Sequence, residues 1–168
     1  MLNEELTKQI ASLAPDALLK QVQQWYATPA DKPDFRAWLT ETATLEKLSP
    51  EQVATMRVAL YCLAKDRDHA AWPLIKDLLV RKVLQNSLAD NDWLLHNLHR
   101  IVGSVVEPAD AQEISALAVD YSIAQIYREQ LILSFQFLWV EKVLDDKATL
   151  EAYRTLFQDA VAHTSEYT

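Results

Sequence analysis

A single glycine, Gly103, stands in a chain of 168 residues. Glycine takes positive φ at no steric cost, and tight hairpins, dinucleotide-binding crossovers and phosphate loops depend on such positions. An average chain carries about 7% glycine. Its near-absence argues against β-hairpins and glycine-rich nucleotide loops, and for helices joined by capped corners. Half of the residues are apolar and 24% are charged. At this length that supplies a core without a disulfide or metal staple. The lone cysteine, Cys62, makes no disulfide framework and no cysteine cage for zinc or iron–sulfur. The expectation is one all-α domain over residues 1–168.

Helix starts are marked by caps and prolines. Asn3 precedes Glu4 and Glu5, Pro15 precedes Asp16, and Lys32-Pro33-Asp34 repeats the pattern. Acids suit the positive end of a helix, and proline wastes no N–H in the first turn. Ser49-Pro50-Glu51-Gln52 has the form of a capping box. Asp68, Asp90 or Asp92, Asp110 and Asp146 are further candidate caps. Between them apolar residues recur at spacings of three and four, as in Leu6, Ile10 and Leu13, in Leu18, Leu19, Val22, Trp25 and Tyr26, and in Val53, Met56, Leu60 and Leu63. That is the helix period. It predicts helices over 3–13, 15–27, 33–47, 50–65, 69–86, 91–106, 109–121 and 123–143, with a ninth over 147–163. Short loops make consecutive helices antiparallel neighbours.

The second half reads as helix pairs, 68–85 with 91–106 and 109–121 with 122–142. Ala70 and Ala109 begin the leading helices about 39 residues apart, near the period of about 40–47 of HEAT-type repeats. Ala70-Ala71-Trp72-Pro73-Leu74-Ile75-Lys76-Asp77-Leu78-Leu79 is similar to a HEAT first helix, with proline in its first turns. Tyr127-Arg128-Glu129-Gln130-Leu131-Ile132-Leu133-Ser134-Phe135 is similar to a second helix, although the usual small residues after the arginine are missing. The resemblance spans 68–143. It implies a HEAT-like α-α superhelix and a partner-binding inner face, and no activity. An irregular helical bundle is the competing architecture.

The N-terminus lacks the basic and apolar regions of a secretory signal. The longest apolar run, residues 131–140, is interrupted by Ser134 and Gln136 and covers about half of a bilayer core. A cytoplasmic protein without a membrane span is expected. Charge divides unevenly. Residues 1–84 hold 11 acids and 11 bases, whereas residues 85–168 hold 13 acids and 5 bases and so carry the whole net charge of −8. Phosphate binding needs lysine and arginine, so no nucleic-acid partner is expected. An acidic field instead steers a basic protein.

Catalytic signals are thin. Asp92, His96 and His99 can share one side of a helix, and two imidazoles with a carboxylate suit Zn, Fe or Mn. No metalloprotease or di-iron spacing accompanies them. Asp159 and His163 form a second such pair. Cys62 sits in an apolar helix interior with no local group to form a thiolate, and no cofactor is expected. Of the tryptophans (Trp25, Trp38, Trp72, Trp93 and Trp139), Trp93 stands out, at a corner beside Asp90, Asn91 and Asp92. Tyr127 and Arg128 are placed on an exposed helix edge.

The favoured expectation is a non-enzymatic protein that binds another protein. Its most concrete form is an acidic inhibitor of the immunity-protein or antitoxin type. The contact set is Asp92, Trp93, His96, His99, Arg100, Asp110, Glu113, Asp120, Arg128 and Glu129. The alternatives are a metal-dependent helical-bundle enzyme using Asp92, His96 and His99, and a scaffold or homodimeric subunit that buries aromatic surface against itself.

Overall fold

The corners of the chain are closed by side chains, prolines and two cationic residues. In the computed structural model, which describes residues 2–140 together with residues 147, 151, 154 and 158, every described element is helical. The helices are α1 (Leu2–Ala11), α2 (Pro15–Ala27), α3 (Phe35–Thr42), α4 (Pro50–Lys65), α5 (Trp72–Val80), α6 (Val83–Ser87), α7 (Trp93–Val105), α8 (Ala111–Ala118) and α9 (Gln125–Val140). Short 3-10 turns occupy Pro29–Asp31, His69–Ala71 and Pro108–Asp110. The all-α expectation holds for the described residues. Of the expected ninth helix, Lys147, Glu151, Arg154 and Gln158 are helical and exposed; the rest of it, the Asp146 cap and the Asp159–His163 pair lie outside the described residues.

The capping box forms as its sequence requires. Ser49 Oγ accepts from the Gln52 N–H at 3.2 Å, and Gln52 Oε1 accepts from the Ser49 N–H at 2.8 Å. Replacing Ser49 by alanine is expected to cost about 1 kcal/mol. Urea unfolding checks this, and an unchanged midpoint would show that α4 does not depend on its cap. Asp34 accepts from the Ala37 N–H at 3.0 Å, so α3 begins at Phe35, two residues after the expected start.

Two expected helices are shorter than their periodicity suggests. α3 stops at Thr42, because the following backbone is held by the distant α5–α6 corner. Arg81 donates to the carbonyls of Ala43 and Thr44, Asn86 to that of Glu46, and Ser87 Oγ accepts from the Leu48 N–H. The expected helix 69–86 is broken at Lys82, which adopts φ 61°. Continued from Ile75 and Leu78, the helix would bring Lys82 and Asn86 onto its buried stripe. The left-handed residue restarts the chain with Val83 and Leu84 fully buried instead. Arg67, at φ 51°, turns the chain after α4 in the same way.

α1 packs beside α4, α4 beside α7, and α7 beside α9. His99 meets Gln130 and Gly103 meets Phe137, so α9 runs parallel to α7. Asp92 meets Arg57, and His69, just past α4, meets Val105, so α7 runs parallel to α4. The intervening helices carry the chain back. Consecutive helices are therefore not always the main packing partners. Buried residues from Ile10 to Phe135 form one apolar cluster that includes Trp25, Trp38 and Trp72. The apolar run 131–140 lies in α9, where Leu131, Ser134 and Phe135 are fully buried. Among the described residues no helix is long and apolar enough to cross a membrane.

Candidate functional site: an apolar groove beside α2

The stripe Leu18, Leu19, Val22, Trp25 and Tyr26 divides along α2. Its C-terminal part is anchored: Trp25 packs edge-on against Phe35 at 5.6 Å, and the Tyr26 hydroxyl donates to the Cys62 carbonyl at 3.2 Å. Its N-terminal part borders a groove of about 270 Å3. Pro15, Leu18, Leu19 and Val22 form one wall; Arg57, Val58 and Tyr61 of α4 and Trp93 of α7 form the other. Of the six large apolar residues exposed among the described ones, three rim this groove: Leu19 at 58%, Tyr61 at 43% and Trp93 at 49% exposure. Contiguous exposed apolar surface of this kind marks interaction sites more often than isolated exposed residues do.

Asp92 and Arg57 tie α7 to α4 beside the groove. Arg57 Nε donates to Asp92 Oδ1 at 3.2 Å and Arg57 Nη2 to Oδ2 at 2.6 Å, while Oδ1 also accepts from the Leu94 N–H at 2.9 Å. The Asp92 side chain is 6% exposed and that of Arg57 is 42% exposed. Burial pushes the Asp92 carboxyl up, but the guanidinium and the Leu94 N–H outweigh it and hold the carboxyl below its usual range. The pair thus fixes the start of α7, and with it Trp93.

Only part of the expected contact set is fully exposed. Trp93, His96 and Arg100 share the exposed side of α7, with His96 Nε2 2.9 Å from the Asp90 carbonyl. Asp92 is buried below them. His99 turns toward α9, where its Nδ1 lies 2.8 Å from Gln130 Oε1. Glu113 is held by Lys76 at 2.5 Å and by the Trp72 indole N–H at 2.8 Å. Asp110 accepts from the Glu107 N–H and Asp120 from the Ser122 N–H. Arg128 stacks on Tyr121 at 4.2 Å and donates to the Ile123 carbonyl, and Glu129 accepts from Gln125. Much of the acidity read as a docking face is therefore engaged within the chain, in caps and ion pairs. A basic partner has to compete for these carboxylates.

Further expectations change in place or role. Among the described residues no group of three His, Cys, Asp or Glu side chains could hold a metal ion, so Asp92, His96 and His99 do not assemble as a ligand set. Their side chains diverge into an ion pair, a loop contact and an interhelical contact. Tyr127 is 3% exposed, not on an exposed edge, because the first turn of α9 lies against α7. Burial raises its hydroxyl well above the usual tyrosine range, and that hydroxyl is a buried polar group without a hydrogen-bond partner among the described residues. Cys62 is fully buried, and burial raises its thiol to about 11. The side chain of Trp139 lies outside the described residues.

A larger cavity, about 480 Å3, opens between α1 and the start of α4. Its polar walls are substantially partnered: Glu4 with Lys8, Thr7 with the Trp38 indole, and Ser49 with Gln52. The sequence shows no signal for it. For the groove the signals were present in the Leu18–Leu19–Val22 stripe and in Trp93, but nothing in the sequence joins them.

A family model described as "Protein of unknown function (DUF1186)" matches residues 42–168. The chain belongs to the DUF1186 family. The matched model is not one of HEAT repeats. Val58, Tyr61 and Trp93 fall inside the DUF1186 match, whereas Leu18, Leu19 and Val22 of the opposite wall precede it. No curated protein and no solved structure matches the chain.

Proposed function

We propose that this DUF1186 protein acts by binding a protein, not by catalysis, and that the apolar groove beside α2 is its contact surface. The observation that carries this reading is the convergence of Leu19, Tyr61 and Trp93, from three different helices, on one groove. Half-exposed aromatic residues around an apolar centre are the side chains that dominate binding energy at protein interfaces. The immunity-protein or antitoxin form is the case in which the bound partner is an enzyme that loses activity on binding. The net charge of −8 then contributes long-range steering even though many carboxylates have partners in the chain.

The test is an affinity capture from the source lysate, comparing the tagged protein with three variants. Leu19→Glu and Trp93→Glu alter the groove at half-exposed positions. Val80→Glu alters an equally exposed apolar residue, 50% exposed, on α5 outside it. Both groove variants are expected to retain at most about a tenth of the partner, the loss that corresponds to removing a moderate interface anchor. Val80→Glu is expected to retain it fully. Equal retention by all four proteins sinks the groove reading.

A further inference from the structure

We infer that the protein segment docked at this groove is acidic: an apolar side chain fills the groove, and carboxylates two or three residues further on meet Lys65 and Arg100. The inference rests on the groove reading above and names the chemistry of the segment that enters it.

The register of two helices places these cations. α4 and α7 run parallel; Arg57 meets Asp92 and His69 meets Val105, offsets of 35 and 36 positions. Position 100 is therefore level with position 65. Lys65 follows Tyr61 by four residues and Arg100 follows Trp93 by seven, so each lies on the same side of its helix as an aromatic residue of the groove rim. The two cations stand side by side on adjacent helices, at one end of the groove. At 1.5 Å per residue they lie about 6 and about 10 Å beyond Tyr61 and Trp93 along the helices. Two or three residues of extended chain span that distance.

Both cations are exposed, and neither forms an ion pair among the described residues. Lys65 Nζ lies 4.0 Å from the centroid of the Tyr26 ring, one turn after Val22 of the groove wall. The nearby acids are engaged: Asp66 with Lys32, Asp68 with Arg36, and Glu129 of the adjacent α9 with Gln125. Arg57 adds a third donor inside the groove. Its Nε and Nη2 bind Asp92, and its Nη1 makes no hydrogen bond among the described residues. Asp16 and Asp90, exposed and without an ion pair among the described residues, stand near the starts of α2 and α7, toward the other end of the groove. The groove is thus acidic at one end and cationic at the other, and a segment with carboxylates beyond its apolar anchor fits it in one orientation. The net charge of −8 acts on a partner as a whole, whereas the cationic end acts on the segment in contact. A nucleic acid would also bring negative charge. Leu18, Val22 and Val58 instead offer an aliphatic surface, and the net charge repels a polyanion.

Fluorescence anisotropy with the full chain tests this, using two dansyl-labelled peptides. One is Gly-Ser-Leu-Leu-Ser-Glu-Glu-Ser-Gly, and the other has Lys-Lys in place of Glu-Glu. The Glu peptide is expected to bind at least about tenfold more tightly, because two exposed contacts attract in one peptide and repel in the other. The double variant Lys65→Glu with Arg100→Glu is expected to reverse the preference, and Leu19→Glu to abolish binding of both peptides. The circular-dichroism melts of these variants should stay near that of wild type, since all three positions are exposed. Equal affinities, a preference for the Lys peptide, a preference that the double variant leaves unchanged, or binding of neither peptide up to about 1 mM overturns the inference. Tighter binding of a labelled oligothymidylate than of the Glu peptide does so as well. Lysate capture separates this failure from that of the groove reading. A partner lost in Leu19→Glu but retained by the double variant removes the acidic segment alone, whereas a partner retained by Leu19→Glu removes both.

Discussion

Replacing Asp92 by alanine is expected to lower the unfolding free energy by about 3 kcal/mol, although no apolar side chain is removed. Two contributions combine. The N-cap bond to the Leu94 N–H is worth about 1 kcal/mol. The paired hydrogen bonds to Arg57 are charge-assisted and together add about 2 kcal/mol. The Arg57 side chain is 42% exposed, so water rehydrates the freed guanidinium and keeps the loss below that of a fully buried pair. Asp92→Asn keeps an acceptor for the cap and is expected to lose about 2 kcal/mol, the share of the ion pair. Arg57→Ala is expected to cost as much as Asp92→Ala, because it leaves a carboxylate of 6% exposure without its counter-charge.

Acid sets the sign of a second readout. The folded-state carboxyl of Asp92 titrates below its ordinary value, so its stabilisation is fully present above the unfolded value of about 3.9. It is lost as the pH falls through the lower, folded value, where the unfolded chain has already bound the proton. The gap between wild type and Asp92→Ala therefore narrows below about pH 4. Glu113, held low by Lys76 and Trp72, contributes in the same direction and remains in both proteins. Urea midpoints at neutral and acid pH check both claims. A gap that stays constant with pH would mean that the charge on Asp92 does not contribute.

The same residue shows which features local sequence makes legible. Asp92 was readable, with Asp90 as the alternative, as a cap, because an aspartate ahead of an apolar period satisfies the first N–H groups of its own helix. Its partner Arg57 lies 35 positions away, and no local rule joins them. Helix type and most starts were legible for the former reason: Ser49 and Asp68 act within three residues of themselves, whereas Asp34, read inside the first turn, caps α3 from outside it. Helix ends were not legible where distant groups override them, as Arg81 and Asn86 do after α3. Nor was the break at Lys82, since a left-handed lysine breaks the expectation that glycine marks such corners. Charge counting pointed to the acidic half, but Glu113, Asp110 and Asp120 have partners nearby or across the fold. The groove needs α2, α4 and α7 together, so its residues were visible singly and their meeting was not.

Gly103→Ala is expected to destabilise the protein by about 2 kcal/mol, a sign opposite to that of the same change in an exposed helix. Gly103 has no positive φ, so backbone freedom is not why glycine stands there. Alanine would improve helix propensity by about 1 kcal/mol. Against this, a Cβ at Gly103 would overlap Cδ1 of the Phe137 ring and lie 3.0 Å from Phe137 Cγ and 3.1 Å from its Cβ. Turning the ring about its own axis clears Cδ1 but leaves Cγ and Cβ in place. Relief therefore requires moving the whole side chain or shifting α9 away from α7, which breaks packing worth roughly 1–3 kcal/mol or more. The overlap prevails because the α7–α9 contact also buries Leu131, Ser134 and Phe135. Pairing Gly103→Ala with Phe137→Ala is expected to recover part of the loss, since the cavity left by the ring receives the new methyl group. The two substitutions should then be non-additive by about 1 kcal/mol or more. Denaturant midpoints of the four proteins measure this cycle. If Gly103→Ala alone raised the midpoint, propensity would be acting unopposed, and α9 would not lie as close to α7 as Gly103 allows.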